Sequence, residues 1–221
     1  MISLISSVVL AAMAGGTIFP TPGTYRYTAS LNGASVGQWA VSVKRDGSAT
    51  EIDETSAASL AGMRVSATAA LVLGPDLAPT QYNGSYRMAG QAPAVTVALT
   101  PGSATVVGSE TSGPRTLSLG ANTKHFVVIE PGLLAGLFAL PAQLQTWKDP
   151  AVTWVTPMTA QAQALTAAPS SAAGRPADVP SQDVAIAMGG QIPFTIWYDP
   201  STLVPDKVIV PSQNAVLTRL P

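Results

Sequence analysis

Alternation of apolar and polar residues, interrupted by turn dipeptides, is the sequence feature that most constrains the fold of this chain. Residues 24–31 alternate without interruption, an Asn-Gly pair follows at 32–33, and the alternation resumes over residues 38–44 before an Asp-Gly pair at 46–47. Side chains of a β-strand project alternately to two faces, so a period of two indicates half-buried strands. Asn-Gly and Asp-Gly pairs tolerate the positive φ angles of tight hairpin turns. The pattern therefore predicts antiparallel hairpins.

Further strand patterns follow at regular spacing along the chain. They cover residues 49–56, 64–73, 81–88, 94–100, 104–107, 117–119, 126–129, 183–188, 194–198, 207–210 and 215–220. This spacing, with few helical patterns, is typical of an antiparallel sheet, sandwich or barrel. The continuous apolar run at 126–129 predicts a central strand, whereas the polar composition of residues 49–56 predicts a strand near an edge or strongly solvated.

One segment, residues 131–144, has the period of an α-helix instead. Its apolar stripe consists of Leu133, Leu137, Leu140 and Leu144, with Leu134 and Phe138 beside them. Spacing of three and four residues indicates an amphipathic helix packed across the sheet. Glu130 and Pro131 suit its N-terminus, and Pro141 is expected to end or kink it. Such a helix either covers the core of the sheet or lines and gates an apolar cavity.

Composition argues against several classes of function. Charged residues make up only 10% of the 221 residues, against about 25% in ordinary soluble domains. The net charge is −1, and only Lys44 and Arg45 are adjacent among the basic residues, so no basic patch favours nucleic-acid binding. The absence of cysteine excludes disulfides, thiolate metal sites, a cysteine nucleophile and a lipoprotein anchor cysteine.

The N-terminal segment predicts export. Residues 1–25 carry no charged side chain, and the apolar run over residues 4–14 ends in Ala-Met-Ala, a pattern that precedes signal-peptide cleavage. The segment lacks the usual basic start, which leaves a membrane anchor or an ordinary buried element as alternatives. The run has about half of the roughly 20 apolar residues needed to span a bilayer, so we expect no stable transmembrane anchor. We expect a signal peptide over residues 1–20 and a periplasmic or secreted protein.

The remainder, residues 21–221, reads as a single β-rich domain. Residues 160–182 are rich in Ala, Ser and Pro, and this composition predicts a flexible exposed loop.

Residues capable of catalysis are few. His125 is the only histidine, and the sequence contains neither a G-x-S-x-G nor an H-E-x-x-H pattern. Three acidic residues lie close together in sequence: Glu51, Asp53 and Glu54. Because Glu51 and Asp53 share a strand face that looks solvated, a solvent-exposed strand is favoured over a calcium or acid–base site. No glycine-rich loop opens a helix to hold a phosphate. We therefore predict no enzyme activity, no cofactor and no metal site.

Aromatic residues provide the candidate binding surface. The candidate ligand-binding set is Tyr25, Tyr27, Trp39, Tyr82, Tyr86, Leu134 and Phe138. Its strand members fall on the apolar faces of neighbouring predicted strands, which fits either plain core packing or a concave apolar surface. Trp197 and Tyr198 are adjacent in a strand and must point to opposite faces.

Both ends and the middle of the chain resemble an uncharacterised bacterial envelope family. The opening pattern G-x-Y-x-Y…N-G-x-x-V-G uses Gly23, Tyr25, Tyr27, Asn32, Gly33, Val36 and Gly37. The mid-chain helix and the closing P-F-T-I-W-Y-D-P at 193–200 are similar to the family's helix and C-terminal hairpin. That family is grouped with the LolA/LolB-like lipoprotein-carrier half-barrels, and residues 160–182 depart from its pattern.

The resemblance implies a strongly curved antiparallel sheet, a helix across its concave side, an envelope location and binding of a lipid or another apolar group. It implies no catalytic residue. Two hypotheses follow: a non-enzymatic exported protein that holds a hydrophobic small molecule or lipid between sheet and helix, or an envelope structural or protein-interaction module without a small ligand. In the second hypothesis an exposed sheet edge, with residues 49–56 as its candidate, docks a protein partner that the sequence does not identify.

Overall fold

The computed structural model describes residues 18–108, 113–119, 125–170 and 174–221. These residues form fifteen strands and one α-helix. The strands are β1 (Gly23–Leu31), β2 (Ala34–Asp46), β3 (Ala49–Leu60), β4 (Met63–Leu73), β5 (Pro79–Met88), β6 (Ala94–Thr100), β7 (Ser103–Gly108), β8 (Arg115–Ser118), β9 (Phe126–Val128), β10 (Ala151–Thr156), β11 (Gln161–Ser170), β12 (Val184–Gly189), β13 (Phe194–Tyr198), β14 (Pro205–Val210) and β15 (Ala215–Arg219). The helix α1 is Ala135–Trp147.

All fifteen strands belong to one sheet, in the order β8-β7-β6-β5-β4-β3-β2-β1-β15-β14-β13-β12-β11-β10-β9. The first and last strands pair at its centre, where Tyr27 lies opposite Arg219. Neighbours are antiparallel except β9 and β10, which are parallel and make the sheet mixed. The sheet is strongly curved but not closed, because β8 and β9 remain as its two edges. The predicted fold class, an open curved β-sheet with one helix, is confirmed.

Helix α1 lies on the concave side of the sheet, since it contacts β3 and β4 on one arm and β9 and β14 on the other. Residues 135–143 are all buried, so the sheet encloses the helix instead of leaving one face to solvent. The helix begins at Ala135, five residues after Glu130, and continues through Pro141 to Trp147, which corrects the predicted start and stop. Within the described part of the chain, no helix has the length and apolarity needed to cross a membrane.

Three predictions about strand position are wrong. The apolar strand β9 lies at an edge, and its side chains are buried because it packs close to β5 and α1. The polar strand β3 is not near an edge but lies between β2 and β4. The alternative, a strongly solvated strand, holds for its outer face, where Glu51 and Thr55 are exposed, but Glu54 on its inner face is only 2% exposed. Residues 161–170 form β11 instead of a loop, because β10 and β12 supply hydrogen-bonding partners on both sides.

The two neighbouring aromatic residues of β13 do face opposite sides of the sheet, as predicted. Tyr198 belongs to the main core around α1, whereas Trp197 packs with Val179 and Ala185 in a second, small apolar cluster. The segment before β12 therefore covers part of the outer face of the sheet.

Gly136 permits the close approach of α1 to β9. A Cβ atom at this position would lie 1.7 Å from the backbone carbonyl oxygen of Val128, which cannot move without disturbing the sheet. We expect Gly136→Ala to destabilise the protein by about 2–3 kcal/mol, the upper part of the range for overpacked cores. Gly174→Ala, where a Cβ would meet nothing within 4 Å, is the matched control in urea denaturation. Equal stability of the two variants would contradict the close packing.

Candidate functional site

Tyr25 and Tyr27 of β1 contact α1 through Phe138. Their ring centroids lie 5.3 Å and 6.4 Å from that of Phe138, the second pair in an edge-to-face arrangement. The Tyr27 hydroxyl donates a hydrogen bond of 2.7 Å to the Pro205 carbonyl. One strand therefore ties the helix to β14 on the other side of the sheet centre.

Trp39 and Tyr86 hold the segment that precedes α1. The Trp39 indole N–H donates to the Gly132 carbonyl at 3.0 Å, and the Tyr86 hydroxyl donates to the Pro131 carbonyl at 2.9 Å. These contacts place residues 131–132 between β2 and β5. Aromatic residues of the predicted set thus act as hydrogen-bond donors as well as packing groups.

The seven predicted ligand-binding residues are brought together around α1, but most of them are closely packed. Tyr27, Tyr82 and Phe138 are each 1% exposed, and Leu134 is 3% exposed. Trp39 is buried as well, and only Tyr25 and Tyr86 are partly exposed. The space between sheet and helix is therefore filled by the protein's own side chains in this state.

Glu54 anchors the start of α1. It projects from the inner face of β3, and its Oε2 accepts hydrogen bonds from the backbone N–H groups of Leu134 and Ala135 at 2.6 and 2.7 Å. The first N–H groups of a helix have no partner within the helix, so Glu54 supplies the cap that no local side chain provides. Sequence analysis missed this role, although the strand period did place Glu54 on the face of buried Ile52.

Burial keeps the two inner carboxyl groups protonated to higher pH than usual. Burial raises the pKa of Glu54 to about 8, against the lowering effect of the N–H groups of Ala135 and Leu134. Burial likewise raises the pKa of Glu130 to about 7, against the lowering effect of a hydrogen bond from the Met158 N–H. Near pH 7 the carboxyl group of Glu54 is therefore largely neutral, whereas that of Glu130 is about half ionised.

An apolar surface leads from the anchored helix start to the end of the sheet. We call it the apolar mouth, and it consists of Ala58, Met63, Val65, Tyr86 and Met88. Ala58 and Val65 lie opposite each other on β3 and β4, and Val65 lies opposite Met88 on β5. Each has the strand parity of the buried core residues and so faces inward.

At the mouth the inner face of the sheet remains accessible. Met63 is 46% exposed and Met88 is 38% exposed, whereas Ala67, four positions beyond Met63 on β4, is 5% exposed. Tyr86 connects the mouth to Pro131 through its hydroxyl. Apart from Tyr86, these residues were absent from the predicted binding set. The alternation of β4 and β5 signalled their inward orientation, but not that α1 stops short of covering them.

A second concavity of about 560 Å³ lies at the opposite end, beside the last strands. Two ion pairs border it, Lys207 with Asp178 and Arg219 with Asp206 at 2.6 Å. Burial, followed by the neighbouring carboxyl group of Asp206, raises the pKa of Asp183 to about 7. Lys207 and Arg219 are therefore already paired, while Arg26, which also borders this cleft, is exposed and forms no ion pair among the described residues. Of the predicted ligand-binding residues, only Tyr25 borders it.

His125 joins the end of α1 to the start of β10. Its ring stacks on Trp147 with centroids 4.7 Å apart, and its Nδ1 lies 3.2 Å from Asp149. The hydrogen bond from the Ala151 N–H, and then His125, lower the pKa of Asp149.

On the strand that held the candidate acidic run, Asp53 pairs with Lys44 at 2.8 Å. Among the described residues, no three His, Asp or Glu side chains converge to hold a metal ion.

Comparison with protein-family models gave no match, and neither did comparison with curated proteins. Among solved structures, the chain is similar to a β-barrel-like protein of a domain of unknown function, DUF1849, from Brucella abortus. The TM-score is 0.54 at 9% sequence identity, covering 93% of this chain and 96% of that one. A DUF1089 family protein from Pseudomonas aeruginosa matches with a TM-score of 0.47 at 7% identity, covering 92% and 97% of the two chains. The first likeness shows a shared β-barrel-like fold.

Proposed function

We propose that this chain is a non-enzymatic, exported protein of the bacterial envelope that binds a hydrophobic or lipid-like ligand at the apolar mouth, between the sheet and the start of α1. The observation that carries the proposal is the exposure of Met63 and Met88 on the inner face, where Ala67 and Gly84, deeper in the same two strands, are buried. Adjacent exposed apolar side chains on a concave surface are typical of binding sites.

The mouth suits the end of an apolar chain. Burying apolar surface contributes about 25 cal/mol per Å², so a few methylene groups seated against Met63, Val65 and Met88 give useful affinity. Tyr86 would lie at the inner limit of the site, where its hydroxyl already bonds to Pro131. A longer chain reaches the aromatic core only if residues 131–134 move away from β2 and β5.

The envelope location rests on the apolar N-terminal segment, which lies outside the described residues. Lipid binding agrees with the activity of the LolA/LolB-like half-barrels that the sequence resembles, and that agreement is an analogy of fold. The proposal therefore depends on the mouth itself, and the mouth can be tested directly.

The absence of native cysteine allows a specific test in the full-length protein. Met63→Cys is labelled with an environment-sensitive fluorophore and titrated with oleic acid below its aggregation concentration. We expect a saturable blue shift of the emission with one ligand per chain. Val184→Cys, labelled in the same way, is the control, since Val184 is similarly exposed at 38% but lies on the other arm of the sheet.

Equal shifts at both positions would show non-specific partitioning and overturn the proposal. No shift at Met63→Cys, together with no co-purifying lipid in native mass spectrometry of protein from its own host, would overturn it as well. The interaction-module hypothesis would then stand, with the exposed edge strand β8 in place of residues 49–56 as its docking edge.

A further inference from the structure

The hairpin turns at the mouth end of the sheet differ in charge from those at the opposite end. Because consecutive strands are antiparallel, the β1–β2, β3–β4, β5–β6, β10–β11, β12–β13 and β14–β15 turns all fall at the mouth end. Arg64, Arg87 and Arg115 lie at this end, at the start of β4, the end of β5 and the start of β8. All three are exposed, and none of them pairs with a carboxylate among the described residues.

Exposed carboxylates lie elsewhere. The described turns and strand ends at the mouth end contain no exposed carboxylate, and Glu130, which lies there, is buried. Glu110 lies outside the described residues. The turns and strand ends at the opposite end carry Asp46, Asp76, Asp149, Asp178 and Asp199. The mouth end therefore presents arginines without exposed carboxylates among its described residues, whereas the opposite end carries charges of both signs, with Lys44, Arg45 and Lys148 among its cations.

Exposed apolar side chains accompany the arginines. Met63 and Met88 lie next in sequence to Arg64 and Arg87, and Val107, which is 46% exposed, lies near the end of β7. These residues belong to β4, β5, β7 and β8, which span four strand spacings, or roughly 20 Å. We call the six residues the docking rim: Met63, Arg64, Met88, Arg87, Val107 and Arg115.

We propose that the docking rim binds the surface of an anionic lipid bilayer. Guanidinium groups form paired hydrogen bonds with phosphate oxygens, and each basic residue near an anionic membrane surface contributes about 1 kcal/mol of attraction. The methionines and Val107 insert between the headgroups, as exposed apolar residues on cationic membrane-binding surfaces do. A nucleic-acid partner would not need the apolar tips.

Docking in this orientation sets the apolar mouth against the bilayer. The inference goes beyond the proposed function and does not depend on it, because a vesicle can bind the rim whether or not a ligand enters the mouth. Failure of the oleic acid titration would therefore leave membrane docking open, and failure of docking would leave ligand binding in solution open.

Vesicle flotation with the full-length protein tests the proposal. Vesicles of phosphatidylcholine with 30% phosphatidylglycerol are compared with pure phosphatidylcholine vesicles. The triple variant Arg64→Gln, Arg87→Gln, Arg115→Gln should lose roughly 100-fold in apparent affinity for the anionic vesicles, about fivefold per arginine. The control variant Lys44→Gln, Arg45→Gln, Lys148→Gln makes the same change of net charge at the opposite end and should lose less than tenfold.

A second variant separates the apolar contribution. Met63→Ser combined with Met88→Ser should release the protein from anionic vesicles at lower salt than the unaltered protein, because most of the apolar contribution is lost and salt screens the electrostatic attraction that dominates the remainder. The N-terminal apolar segment is common to all variants, so it cannot produce a difference among them. Equal losses in the two triple variants, or equal binding to both kinds of vesicle, would overturn the proposal.

Discussion

Glu54→Gln should stabilise the protein at pH 8, whereas Glu54→Ala should destabilise it at pH 5, where the carboxyl group is protonated in the folded protein. The Gln side-chain carbonyl can accept the same hydrogen bonds from Leu134 and Ala135 that Oε2 accepts now, at 2.6 and 2.7 Å. It cannot ionise, so it avoids the cost of a charge in the core. Alanine leaves two buried helix N–H groups without an acceptor and a cavity beside them, which together cost about 2–4 kcal/mol.

The pH range follows from the direction of the pKa change. Burial raises the pKa of Glu54 to about 8 from an ordinary value near 4.5. The folded state therefore retains a proton that the unfolded state loses, and stability falls as the pH rises from about 4.5 to about 8. Over that range, ionisation of Glu54 lowers the free energy of unfolding by roughly 4 kcal/mol. Glu54→Gln removes this loss.

Urea denaturation of the three proteins at pH 5, 6.5 and 8 measures the effect. We expect the free energy of unfolding of Glu54→Gln to exceed that of the unaltered protein by less than about 1 kcal/mol at pH 5 and by increasing amounts toward pH 8. A difference of 3 kcal/mol would correspond to about 6–12 °C in Tm for a domain of this size. If Glu54→Gln is less stable at pH 8, the helix start requires an ionised carboxylate and the assignment of a neutral carboxyl is wrong.

Local patterns were enough to predict much of the fold. Alternation and turn dipeptides located β1 and β2, and the leucine spacing located a helix between residues 131 and 144. The opposite orientation of Trp197 and Tyr198 also follows from strand geometry alone. These features depend on neighbours within a few residues, which is the range over which sequence periodicity carries information.

Features that depend on distant partners could not be predicted in the same way. Glu54 and Leu134 are 80 residues apart, so nothing near Glu54 signals that a helix start will take its carboxyl group into the core. Without that partner a polar strand looks solvated, and β3 was therefore placed near an edge. Conversely, β9 looks central because its three residues are apolar, but α1 and β5 bury it from a position at the edge.

The binding residues were predicted only in part for a related reason. Sequence periodicity identifies which residues face inward, but not how far along each strand the helix covers them. Tyr27 and Phe138 are inward and enclosed, whereas Met63 and Met88 are inward and open. The difference is set by where α1 begins, and that position is set by Glu54, Trp39 and Tyr86. Trp39 is therefore the residue whose removal best tests the packed state of the interior.

Trp39→Ala should destabilise the protein by about 3–5 kcal/mol, the usual cost of truncating a buried aromatic side chain. Trp39 is 8% exposed, and its indole N–H donates to the Gly132 carbonyl at 3.0 Å, so truncation removes both packing and a hydrogen bond. Trp39→Phe keeps most of the packing and loses only the hydrogen bond, and its expected cost is about 1–2 kcal/mol.

Urea denaturation of the three proteins at pH 6.5 gives their free energies of unfolding. If the interior is packed as described, the order of stability is the unaltered protein, Trp39→Phe, then Trp39→Ala, and oleic acid does not restore the Ala variant. A loss below 1 kcal/mol in Trp39→Ala would show that the Trp39 face lines open space. Because Trp39 holds Gly132, the Ala variant should also loosen the segment before α1. Faster backbone hydrogen exchange at residues 131–135, but not at β13, would then link the anchoring of the helix start to the closure of the core behind the mouth.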